Sequence, residues 1–170
     1  LTRNKCPYCE QLLVEPYGNP ESDILLVGEF PGDKEMQRGA PFVGEAGGIL
    51  EYELGRAGID MWSCRLTNLW QHYATKDISC FEYGLKSLTQ EMAGRKVLMM
   101  GSELATYFLG DKVSKWYGLK VTSALFPRSI QFAIVAPNPA IALHQPLGEL
   151  RLSLQKFVRA VKEENCQKVI

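Results

Sequence analysis

With 170 residues, the chain has the size that buries one continuous core without staples, and it is short for two ordinary domains. Lys plus Arg and Asp plus Glu both number 19, so the composition excludes a strongly basic nucleic-acid protein and confines any such surface to a local patch. No apolar stretch reaches the roughly 20 residues of a spanning helix, and Leu1 to Pro7 hold no apolar signal core. The expectation is one soluble, intracellular (cytoplasmic) domain over 1–170 with no membrane partner.

Near the N-terminus, Cys6-Pro-Tyr-Cys9 has the spacing of a chelating pair, and an odd total of five cysteines makes a purely disulfide framework the weaker reading. Asp23 to Glu29 is a short run of branched apolar residues ending at glycine, which predicts a buried strand feeding a loop through Pro31-Gly32. Ala46 to Ala57, with Ile49, Leu50 and Leu54 on one face and Gly58 as a stop, predicts a helix. A second strand is predicted over Cys64 to Leu69, a helix over Ile78 to Met92, a third strand over Lys96 to Gly101, and a helix from about Ser102. Residues 131–137 predict a fourth strand, and the pattern from Leu150 to Val161 an amphipathic helix. Strands alternating with helices imply an α/β fold: a mainly parallel four-stranded central sheet with helices on both faces. In such sheets the ligand site lies beyond the carboxyl ends of the strands.

The stretch from Gly28-Glu29-Phe30-Pro31-Gly32 to Glu35, followed by Gly39-Ala40-Pro41-Phe42-Val43-Gly44-Glu45-Ala46-Gly47-Gly48-Ile49-Leu50, resembles the first signature of family 4 uracil-DNA glycosylases. That signature reads Gly-Glu-(Ala/Gly)-Pro-Gly, then Gly-x-Pro-Phe-Val-Gly-x-Ala-Gly-x-Leu-Leu. The similarity continues through Arg56-Ala57-Gly58, Thr67-Asn68, Val97 to Gly101 and Ala136-Pro137-Asn138-Pro139, so it covers nearly the whole chain. The resemblance implies the three-layer αβα sandwich of that superfamily. It also implies action on DNA, single-stranded or with a flipped-out base, since a glycosylase must take its nucleotide out of the stack.

The resemblance assigns roles to several residues. Phe42 would stack on the flipped pyrimidine; the alternative is a core phenylalanine. Asn68, at the end of a predicted strand, would pair with a uracil-like edge; the alternative is an asparagine capping a turn. Glu29 would place or activate water; the alternative is a solvated carboxylate. Phe30 belongs to the same base-binding loop and stands where the most active branch of the superfamily has an aspartate, so no strong water-positioning acid is expected there. Pro137, Leu143 and His144 fall in or beside the segment that wedges into the duplex in the family, which implies DNA contacts, with a surface histidine as the alternative for His144.

Two departures matter. The second family signature, His-Pro-Ser, supplies a histidine that donates to the base oxygen as charge builds on it, and this chain has Ala136-Pro137-Asn138. Losing one such donor costs on the order of 10² to 10³ in rate, and Asn138 is the remaining candidate for an amide donor. Family members also bind a 4Fe-4S cluster through four cysteines. Here the third position, four residues after Asn68, is His72, and Cys80 fits the fourth, so Cys6, Cys9, His72 and Cys80 form the expected ligand set. The same donors suit zinc. Cys64 is the rival ligand, and Cys166 is expected to be free.

Two functional classes follow: a glycosylase for uracil or a modified pyrimidine with weakened or altered catalysis, or a non-catalytic DNA- or protein-binding module, such as a phage replication or repair accessory working in a host cytoplasm. A flavodoxin-like nucleotide binder is disfavoured, because the first loop lacks Gly-x-Gly-x-x-Gly.

Overall fold

The computed structural model describes residues 2–167. Eleven main elements run in the order β1 (Tyr17–Gly18), β2 (Ile24–Gly28), α1 (Asp33–Arg38), α2 (Glu45–Ala57), β3 (Arg65–Asn68), α3 (Ile78–Met92), β4 (Lys96–Met100), α4 (Ser102–Leu109), β5 (Lys120–Val121), β6 (Phe132–Ala136) and α5 (Gly148–Gln167). The strands form one sheet in the order β1-β3-β2-β4-β6-β5, whose four central members are parallel and whose two edge members are antiparallel. The four parallel strands are those the apolar runs predict. The edge strands are two residues each, too short to carry a period-2 pattern, and tertiary pairing alone creates them.

Strand alternation divides the core into two layers. Leu25 and Val27 of β2, Val97 and Met99 of β4, and Ala133 and Val135 of β6 face Leu88 and Met92 of α3 and Leu104 and Phe108 of α4. Leu26, Leu98, Met100 and Ile134 face Leu50 and Leu54 of α2 and Leu154, Phe157 and Val161 of α5. This is an αβα sandwich. Its central strands are buried on both faces, which is why they read as continuous apolar runs. Lys96 is fully buried at the start of β4, where its ammonium meets Asp23 Oδ2 at 2.6 Å and Asn165 Oδ1 at 2.7 Å. No helix among the described residues is long and apolar enough to cross a membrane.

The chain leaves β2 for β3 on one side and, by way of α3, for β4 on the other. This reversal opens a crevice above the carboxyl ends of the strands. The loops after β2 and β6 meet there.

Candidate active site and metal centre

A cleft of about 420 Å³ lies above the ends of β2, β3 and β6. Gly28, Glu29, Phe30, Phe42, Asn68, Asn138 and Leu143 are among its lining residues. Gly28 pairs in register with Asn68 across β2 and β3. A Cβ built on Gly28 would stand 2.4 Å from Asn68 Oδ1 and 3.1 Å from the Phe42 ring, so only glycine leaves the floor between amide and ring open. Asn68 is buried, and among the described residues its side-chain amide has no hydrogen-bond partner within the protein. A flat heterocycle entering here could meet an aromatic face and a free amide together.

Phe42 is half-buried and has φ of +57°, which a bulky side chain rarely adopts. Gly47 holds it there: a Cβ on Gly47 would fall 2.0 Å from the Phe42 carbonyl oxygen, so α2 packs directly on the Phe42 backbone. Gly47 at the start of α2 therefore lets the helix pack against a strained aromatic at the cleft. Strain of this kind costs on the order of 1–3 kcal/mol and persists where the surroundings over-determine it.

Glu29 follows β2. Its Oε2 accepts the backbone N–H of Glu103 at 2.6 Å in the first turn of α4, and its Oε1 accepts from Asn138 Nδ2 at 3.0 Å. The open end of α4 favours negative charge at that point. Gly101, at φ of +133°, makes room for the contact, because a Cβ there would sit 2.2 Å from the Glu29 carboxyl carbon. Asn138 Oδ1 in turn accepts from the N–H of Ala140 at 2.9 Å, so both ends of its amide are engaged. Ala136, the last residue of β6, is fully buried and brings only a methyl group.

Phe30 is 52 % exposed and Leu143 is 40 % exposed, both at the cleft. Pro137 is buried, and neither it nor the exposed His144 is among the lining residues. Sequence reasoning missed α1 and with it Asp33, Lys34 and Glu35, all of which line the cleft. Among the described residues, Glu35 Oε2 is buried without a hydrogen-bond partner, with its carboxylate against Gly32 and Gly44. The spacing Asp33 to Glu35 after Pro31-Gly32 places acids in a first helical turn, a signal that could have found it.

The second cluster lies behind this cleft. One ligand atom from each of Cys6, Cys9, His72 and Cys80 falls within 4.8 Å of all the others. Cys6 Sγ is 3.7 Å from Cys80 Sγ, and Cys9 Sγ is 3.4 Å from His72 Nε2. His72 Nδ1 lies 2.7 Å from the Tyr73 carbonyl; donation to that oxygen leaves the Nε2 lone pair for a metal. Burial raises the Cys6 thiol, but the backbone N–H groups of Tyr8 and Cys9 and hydrogen bonds with His72 and Cys9 outweigh it and bring it to about 7. Cys80 is pushed up to about 12, first by burial and then by the Cys9 and Cys6 sulfurs. A bound cation would stabilise several thiolates at once, and this donor set suits one. Cys64 lies apart, buried in the α2/α5 layer, and Cys166 is exposed on α5.

The two sites share backbone. Leu69 N and Trp70 N donate to the carbonyls of Gly28 and Glu29, Val14 N donates to Gln71 O at 2.5 Å, and Tyr73 Oη donates to Asp33 Oδ1 at 2.5 Å. Trp70 Nε1 donates to Glu103 Oε1 at 3.0 Å, beside the N–H that holds Glu29.

A sequence profile of the uracil DNA glycosylase superfamily matches residues 15–163. The type-4 uracil-DNA glycosylase of Pyrobaculum aerophilum is 35% identical over 91% of this chain and 87% of its own length. Its counterpart in Saccharolobus solfataricus is 26% identical over 98% of this chain and 84% of its own, and that of Sulfurisphaera tokodaii is 26% identical over 86% and 71%. The chain belongs to the uracil-DNA glycosylase superfamily, in its family 4-like branch.

Proposed function

We propose that this chain hydrolyses the bond between deoxyribose and uracil, or a modified pyrimidine with the same edge, in DNA. The observation that carries the reading is the open floor at Gly28, flanked by the Asn68 amide and the Phe42 ring and bordered by Glu29. A flipped base would stack on Phe42 and pair its edge with Asn68. As the bond from C1′ to the base nitrogen breaks, its electron pair goes to the base and positive charge grows on the sugar. The Glu29 carboxylate, fixed by the α4 N–H and the Asn138 amide, is suited to face that charge and to hold the water whose oxygen bonds to C1′; the proton this water sheds passes by way of solvent to the departed base.

The methyl of Ala136 gives the leaving base no donor, and the Asn138 amide is spent on Glu29 and its own turn. The same fact favours a second reading, a DNA- or protein-binding module in replication or repair that keeps the pocket without turnover. Slow turnover is the reading we adopt, at a cost of about 10² to 10³ against a site with that donor. Incubation with uracil-containing single-stranded and duplex oligonucleotides, followed by alkaline cleavage at abasic sites, tests it. Strand binding with no cleavage would favour the module.

Cys6, Cys9, His72 and Cys80 would hold the metal centre. Family membership favours a 4Fe-4S cluster; a sulfur separation of 3.7 Å also fits the edge of a single tetrahedral zinc site with bonds of about 2.3 Å. When bound, the centre supplies cross-linking: it ties the N-terminal segment to the 68–73 segment that carries Asn68. Iron, sulfide and zinc analysis of the purified protein separates the two.

A further inference from the structure

We propose that Phe30 is a stacking platform for the base next to the flipped nucleotide, and that it makes an unpaired single strand the preferred nucleic acid of this cleft. The inference rests on the reading of the cleft as a base pocket.

Two independent features carry it. First, Phe30 directly follows the site carboxylate, yet half of its surface is open to solvent at the cleft. Among the described residues its ring takes part in no aromatic pair, so its open half is available to a ligand at the cleft. Leu143, from the turn after β6, exposes a second apolar surface to the same cleft. A strand whose central base enters beside Phe42 must lead its neighbouring bases past these lining residues.

Second, the charge at the cleft has the wrong sign for a grip on phosphates. Its lining carries the carboxylates of Glu29, Asp33, Glu35 and Glu45 against the one ammonium of Lys34. Duplex DNA presents about one phosphate per 1.7 Å of helix axis, and proteins ordinarily take their sequence-independent affinity from neutralising that lattice. The cleft lining itself lacks the means, and what it offers a strand is surface for base faces. A duplex hides those faces in its own stack, whereas a single strand offers them, and each stacked base is a substantial, sequence-tolerant contribution.

The test uses single strands carrying one central dU or dT with 2-aminopurine beside it, and the same strands annealed. Binding is read by anisotropy across a salt series, and stacking by 2-aminopurine emission, for wild type, Phe30→Ala, Phe30→Tyr and Phe42→Ala. The expected result is tighter binding to single strands than to duplex, with a shallow salt dependence. Phe30→Ala should lose roughly tenfold or more in single-strand affinity on dU and dT strands alike and restore 2-aminopurine emission, while Phe30→Tyr keeps both. Unchanged melting temperatures check that these variants fold. Single-strand affinity of Phe30→Ala within twofold of wild type, or wild-type preference for duplex with a steep salt dependence, overturns the proposal. Loss of dU preference only in Phe42→Ala belongs to the base pocket. A wild type that binds dU and dT strands equally, but still depends on Phe30, removes the base pocket and leaves the platform standing.

Discussion

Asn138 Nδ2 donates to Glu29 Oε1 at 3.0 Å, joining the turn after β6 to the carboxylate at the end of β2. Asn138→Ala would release one side of that carboxylate, and a hydrogen bond to a charged group contributes about 1.5–3 kcal/mol. Single-turnover cleavage should fall by about tenfold or more while affinity for a uracil strand holds. Asn138→Asp should be worse, because it sets two carboxylates against each other. Equal rates in all three proteins would remove Asn138 from the site.

Ala136→His tests the missing donor. The residue ends β6, two positions before Asn138 of the cleft lining, so the new imidazole would start below the cleft. Cleavage of uracil-containing single strands should rise toward the 10² to 10³ that one such donor supplies. Background rates in wild type and Ala136→His, with strand affinity intact, would mean a binding module.

Phe42→Ala should weaken uracil-strand binding by roughly 1–3 kcal/mol, the range for base–aromatic stacking. Melting temperature should change little, since the ring is only partly buried. Because φ is +57°, Phe42→Gly should be more stable than Phe42→Ala despite its more flexible unfolded chain. A stability loss of about 3–5 kcal/mol in Phe42→Ala would mark the ring as core instead.

His72→Ala and Cys80→Ser should each lower metal content and destabilise the N-terminal segment, measured as faster proteolysis ahead of β1. Cys64→Ser should leave metal content unchanged. Metal lost from Cys64→Ser and retained in His72→Ala would reassign the fourth ligand.

Burial raises the Cys64 thiol from 9.0 to about 11. The folded protein thus keeps a proton that the unfolded chain releases near pH 9. Its stability contribution is whole below that pH and is lost as pH rises toward 11, by about 2–3 kcal/mol. Urea midpoints for wild type and Cys64→Ala, followed from pH 8 to 11, should converge or cross. A constant difference would show that the thiol titrates normally.

Much of this molecule is local chemistry written along the chain. The apolar runs at 24–28, 97–100 and 132–136 read as doubly covered strands, because they have no polar face to turn to water. Phe42 and Asn68 were legible through the family resemblance, whereas the part played by Gly28 between them was not, and the same resemblance pointed to Cys6, Cys9, His72 and Cys80, which the fold brings within 4.8 Å. The short helix α1 was not legible, since six residues with no buried member have no periodicity to read. Nor were the edge strands, which exist only where a neighbour pairs with them. The sequence by itself determined the layer order and the residue types at the site. Only the tertiary structure decided that Asn138 is committed to Glu29, that Gly47 packs against a Phe42 backbone held at positive φ, and that acids surround the cleft. The first joins segments 109 residues apart and is set by how the layers pack on the sheet; the other two lie within one short stretch of chain, but depend on backbone geometry that residue types alone do not reveal.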